Sequence, residues 1–200
     1  MTTTKPDECT ARDDGPRFTP HPEGQFAAVC VDAINLGERL ESFGGKSPKI
    51  TPKVALVFRT GEQNADDALI DVSAEFSLFM SPKAALRLFL ESWRGKSYTD
   101  EQAREGVPLH KLAGNGALLS VEHKTSAGGR TYAKIKSVAP LPKQMPAPAG
   151  DGYQRADYWA ERKTEYAEQV RKHRAETVVA RHGDEPDPTD SGEDDDDLPF

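Results

Sequence analysis

Apolar and polar positions alternate with a period of two over much of the chain, a period near 3.6 interrupts them once, and neither end shows a period. Leu69 to Phe79 is the clearest case. Ile70, Val72, Ala74, Phe76 and Leu78 alternate there with Asp71, Ser73, Glu75 and Ser77, as expected of a strand with one buried face. Gly24 to Leu36 (GQFAAVCVDAINL) predicts a strand before it, and so does Lys53 to Thr60 (KVALVFRT), which is apolar on both faces over its middle. Ala117 to Lys124 (ALLSVEHK) and Arg130 to Val138 (RTYAKIKSV) predict strands four and five. Between the first two strands the sequence is polar and Gly-rich, which places a long loop at Gly37 to Pro52. Gly61 to Asp67 reads as a turn, and Thr125 to Arg130 joins the last pair of strands.

The helical period lies between strands three and four. Leu86, Phe89, Leu90 and Trp93 fall at i, i+3, i+4 and i+7. Ser81-Pro82 offers an N-cap followed by Pro at the first helical position, and Gly95 a stop. Thr99 to Arg104 is a second, short helical candidate. After a linker at 147–152, Tyr153 to His182 has few breakers and 12 charges in 30 residues, so it predicts a mostly exposed helix. Its thin apolar stripe is Ala156, Trp159, Tyr166 and Val170, with Glu168 and Lys172 spaced for an ion pair. Residues 1–21 and 183–200 are polar and aperiodic, an arm and a tail expected to be disordered.

Three strands, a helix and two further strands is the element order of a five-stranded OB-fold barrel with its helix between strands three and four. The sequence therefore predicts a mainly β domain over 22–146, followed by the C-terminal helix and the acidic tail. Such barrels bind oligonucleotides or oligosaccharides on the face of strands two and three and through the loops joining strands one to two and four to five.

Charge sharpens that expectation. The chain carries 33 acids and 26 bases, but nine of the acids lie between Asp184 and Phe200 with no Lys or Arg among them. What remains is a body of about +2 with an acidic tail attached. Phe43, Lys46 and Lys49 fall in the first loop, with Lys53 and Arg59 on the strand after it. Lys124 and Arg130 flank the last loop, and Tyr132, Lys134 and Lys136 share one face of strand five. Cations for phosphates and aromatic faces for bases are what single-stranded nucleic acid requires. Phe43 and Tyr132 are the stacking candidates, with Trp93 behind them, whereas Phe58, Phe76 and Phe89 read as core.

The tail ends Asp195-Asp196-Asp197-Leu198-Pro199-Phe200. A bulky apolar pair around a Pro, behind a run of Asp, suits an apolar pocket rimmed by Lys and Arg on a partner protein. This tip resembles that of bacterial single-stranded-DNA-binding proteins, an Asp run followed by Ile-Pro-Phe, with Leu198 in place of the Ile. The resemblance implies that the tip recruits replication and recombination proteins and competes with DNA. The body resembles a different group, phage-encoded single-stranded-DNA-binding proteins, in PEGQFAAVCVDAINLG, AALRLFLESWRGK and TYAKIKSVAPLPKQM. That likeness covers roughly residues 22–146 and carries no catalytic motif, cofactor or metal.

Enzyme signatures fail on spacing. Gly45-Lys46-Ser47 and Gly95-Lys96-Ser97 lack the upstream Gly of a phosphate-binding loop, with Leu40 and Leu90 in its place. Five His and two Cys show no metal-ligand spacing. No apolar run approaches the roughly 18 residues of a membrane helix, and Cys9 and Cys30 make no disulfide framework, so a cytoplasmic setting is expected. The expected function is non-enzymatic binding of single-stranded DNA, with protein partners at the tip and possible homo-oligomers. An interaction adaptor, or a decoy for pockets that receive such tips, is the alternative. An acidic DNA mimic and an oligosaccharide-binding barrel are weaker ones.

Overall fold

The computed structural model describes residues 19–42 and 47–182. The five strands are β1 (Gly24–Glu41), β2 (Lys49–Gln63), β3 (Leu69–Ser77), β4 (Gly116–Thr125) and β5 (Thr131–Pro140). The helices are α1 (Ala85–Arg94), α2 (Asp100–Glu105) and α3 (Tyr158–His182), with a single 3-10 turn at Leu109–Leu112. The strands form one antiparallel sheet in the order β3-β2-β1-β4-β5. β1 holds it together by serving two partners: Gly24 to Val29 pair with β4, and Val29 to Glu41 pair with β2. The sheet is not closed, because β3 and β5 remain its edges.

β1 is longer than its sequence suggests. It continues past Leu36 to Glu41, and β2 begins at Lys49, so only residues 42–48 separate the two strands, where the sequence pattern places a loop from Gly37 to Pro52. Gly37, read as a breaker, is a bulge within the strand: its φ is +76° and its N–H donates to Asn35 Oδ1 at 2.9 Å. Beyond the bulge, Leu40 pairs with Ile50 and Thr51 Oγ1 donates to Glu41 at 2.7 Å.

The inner face of the sheet closes on α1. Ala28, Cys30, Leu56, Phe58, Leu119 and Val121 meet Leu86, Leu90 and Trp93 in the main core, and the Trp93 indole donates to Gly116 O at 2.8 Å. Burial pushes the Cys30 thiol up to about 12, leaving it protonated and inert. α1 begins at Ala85 instead of Pro82. Ser81 O accepts from Ala84 N, so Pro82 occupies the second position of a β-turn, where its fixed φ fits equally well. Buried Arg87 then ties the helix to what precedes and follows it, donating to Met80 O, Tyr98 O and Glu91. Gly95, in the left-handed region, ends α1 as expected, and Thr99 caps α2 through a reciprocal capping box with Gln102.

α3 is not a free helix. Trp159 and Tyr166 pack on Ile34, Leu36, Ala55 and Val57, forming a second apolar layer on the outer face of β1 and β2. Ion pairs fix it and the segment just before it: Arg155, ahead of the helix, to Asp32, then Arg162 to Glu75 and Arg174 to Glu38. Covered on both sides, β2 is buried from Lys53 through Arg59, which explains its two apolar faces. The segment leading to α3 also lies on the sheet: Gly150 packs against Val29 and Val31, and Asp151 O accepts from Arg59.

Candidate nucleic-acid interface

The ten cations and aromatics singled out by sequence separate into four groups. Lys53 and Arg59 are structural, only 7 % and 6 % exposed. Lys53 pairs with Glu41 and donates to Ser77 Oγ at 2.9 Å. Arg59 forms a fork with Asp71 at 2.9 and 3.1 Å and stacks on the Tyr153 ring. Both sit on the outer face of β2, the one that an OB-fold offers to ligands, but α3 covers that face here and acids engage both side chains. They are withdrawn from the phosphate-binding set. Trp93 is withdrawn from the stacking set by its burial in the main core.

Phe43 and Lys46 lie outside the described residues, as do Asp195, Asp196, Asp197, Leu198, Pro199 and Phe200. Lys49 is exposed at the start of β2, at the far end of β1 from the remaining candidates.

Lys124, Arg130, Tyr132, Lys134 and Lys136 do come together, on the β4–β5 hairpin. Lys124 pairs across the strands with Tyr132, and Glu122 with Lys134, so all four share the outer face. All five candidates are exposed, Tyr132 to 40 %. One acid sits among them. Glu122 bonds Lys124 at 3.0 Å and lies 3.7 Å from Lys136, and the Lys124 hydrogen bond holds its carboxyl below the usual carboxylate range. Among the described residues Arg130 and Lys134 form no ion pair.

The same strand borders an open groove of about 1260 Å³ between the β3 and β5 edges. Arg130, Tyr132, Lys134 and Lys136 line one wall, and Asp71, Ser73 and Glu75 the other. Phe76, Leu88 and Phe89 lie between, with Phe76 and Phe89 in tilted contact at 4.8 Å. The wall acids already have cationic partners, Arg59 for Asp71 and Arg162 for Glu75, so they add little net negative charge. Arg162 is a groove residue that sequence reasoning missed. It falls three residues after Trp159, but only the docking of α3 brings it to this rim.

The rear of the hairpin is pinned to the chain before β1. His21, buried, contacts Thr60 Oγ1 at 2.6 Å and packs edge-on against Phe26, its carbonyl bonds the His123 ring, and Glu23 accepts from the His123 N–H. The His21 Nδ1 lies 2.9 Å from Pro22 O, an acceptor, so Nδ1 carries a proton. The chain matches no family model and no curated protein.

Proposed function

We propose that this protein binds single-stranded DNA along the β4–β5 hairpin, as a phage-type replication or recombination protein built on an OB-fold. One observation supports this reading above the others: three Lys, one Arg and an exposed Tyr occupy one continuous strip beside an open groove. Phosphates would lie on Lys124, Arg130, Lys134 and Lys136, and a base would stack on Tyr132 without sequence preference. The fold is compatible. β3-β2-β1-β4-β5 becomes the OB-fold barrel if the β3 and β5 edges close on each other, and OB-fold barrels are themselves partly open. The binding path differs from the usual one. With α3 on the β2 face, the strand shifts toward β5 and its loop. The acidic segment from Asp184 would recruit replication or recombination proteins through its Leu198-Pro199-Phe200 tip.

Fluorescence titration of the full chain with oligo-dT and with duplex DNA, at low and moderate salt, tests this directly. Salt-sensitive binding to the single strand, with Tyr132→Ala weakening it about 5- to 100-fold as expected for one stacked base, supports the reading. Absence of binding to the single strand, or equal binding by Tyr132→Ala, overturns it.

A further inference from the structure

A second cavity, of about 550 Å³, lies away from the basic strip. It sits between the end of α1 and the chain that follows β5, with Trp93, Tyr98, Leu112, Leu141 and Met145 among its lining. Its charged residues are Arg94 and Lys143, and no acid lines it among the described residues. Arg94 stacks on the Tyr98 ring, its guanidinium carbon 4.8 Å from the ring centroid, which holds the charge at the rim. Met145 is 40 % exposed, an apolar side chain left uncovered at a pocket mouth. An apolar hollow with two cations at its edge selects an acidic segment that carries an apolar anchor.

The chain contains such a segment, Asp194-Asp195-Asp196-Asp197-Leu198-Pro199-Phe200. We infer that this cavity seats the Leu198-Pro199-Phe200 tip of a second copy of the chain, with the Asp run against Arg94 and Lys143. Reach decides between the same copy and another. α3 runs in the same sense as β1: Arg155, just before the helix, pairs with Asp32, and Arg174, within it, with Glu38. The cavity lies by Gly116, which pairs with Val29. Val29 to Glu38 spans about 30 Å at ~3.3 Å per residue, and α3 continues about 12 Å beyond Arg174 at ~1.5 Å per residue. The helix thus ends about 40 Å from the cavity. Eighteen residues remain after His182. They reach at most about 60 Å when fully drawn out, and a random coil of that length averages about 23 Å end to end. A molecule's own tip would be held stretched, at low effective concentration, and a neighbour's tip carries no such cost. The contact is head-to-tail: the cavity of one copy takes the tip of the next and leaves its own tip for another, an open arrangement suited to successive copies along one strand. The inference does not depend on the nucleic-acid reading.

The test uses the full chain. Unlabelled wild-type protein is added to ¹⁵N-labelled Phe200→Ala protein, which lacks the anchor but keeps the cavity. The expected result is a concentration-dependent shift of the Trp93 indole and of the Leu112, Asn115 and Lys143 amides, with the Trp159 indole unmoved. A peptide of residues 190–200 should reproduce the shifts, and Arg94→Glu combined with Lys143→Glu should weaken them at least tenfold. Shifts confined to Arg130–Lys136, or no shifts, overturn the inference. So does a Trp93 difference between wild type and Phe200→Ala that persists unchanged on dilution, since that identifies the molecule's own tip. Oligo-dT titration of the Arg94→Glu, Lys143→Glu variant separates the two claims: loss of self-association with DNA binding retained leaves the nucleic-acid reading in place.

Discussion

Lys53 and Lys134 are one residue type on neighbouring parts of one sheet, and their surroundings give them opposite tasks. Lys53 is buried beside Glu41 and Ser77, so Lys53→Ala leaves a carboxylate in a desolvated site without its counter-charge. A loss of about 3 kcal/mol in unfolding free energy is expected by urea denaturation, with the salt slope of DNA binding unchanged. Lys134→Ala should do the reverse, leaving the urea midpoint in place while the log–log salt slope becomes shallower by about 0.7, one single-strand phosphate contact. Glu41 adds a pH signature. Burial pushes its carboxyl up, but hydrogen bonds from Lys53 and Thr51 outweigh this and bring it below its ordinary value. A carboxyl depressed in the folded state stabilises the fold above the ordinary carboxylate range, about pH 4.3, and that contribution disappears as pH falls through the folded value. Comparing urea midpoints at neutral and strongly acidic pH should therefore show a smaller drop for Glu41→Gln than for the wild type.

α3 shows how weakly a helix can announce its role. Most of its surface is charged, yet Trp159, Tyr166 and Val170 are buried, and the Tyr166 hydroxyl donates to Glu75 at 3.0 Å beneath an Arg39 guanidinium. Three aromatic or branched side chains at helical spacing are enough when the surface beneath is already apolar, as Ile34, Leu36, Ala55 and Val57 make it. Trp159→Ala should cost about 3–5 kcal/mol, the range for emptying a large aromatic site. If α3 and the sheet unfold as one unit, near-UV and far-UV circular dichroism of this variant will shift together. A separate early loss of helical signal would show that α3 is an independent element.

Over the whole molecule, charge distribution matters more than its sum. The total of −7 hides a body near +2 and a tail holding nine acids, so long-range attraction to a polyanion is weak. On the proposed reading, affinity comes from the local strip, where Glu122 already engages two of the four cations. Between two and four phosphates should be neutralised, giving a log–log salt slope of about −1.4 to −2.8 at roughly 0.7 per phosphate. A slope near −6 would mean that Lys49 or other cations join the path, or that several copies bind together.

Strands three to five, α1 with its Gly95 stop and the short α2 were legible in the sequence because each rests on local chemistry such as side-chain alternation, a helical stripe or a stop, while the cap of α2 emerged only in the structure. So was the basic face of β5, since residues two apart on a strand point the same way. The first loop was misjudged because Gly37 breaks a pattern without breaking a strand when a partner strand continues beyond the bulge. The start of α1 was misjudged because Pro82 fits a β-turn as well as a first helical turn. Lys53 and Arg59 could not be told from surface cations by sequence, because Glu41 and Asp71 reach them only through strand pairing and α3 covers them only in the folded chain. Local pattern determines which elements form and which way their side chains point. Which charges stay free for a ligand is set by contacts between residues far apart in sequence, and those exist only once the chain has folded.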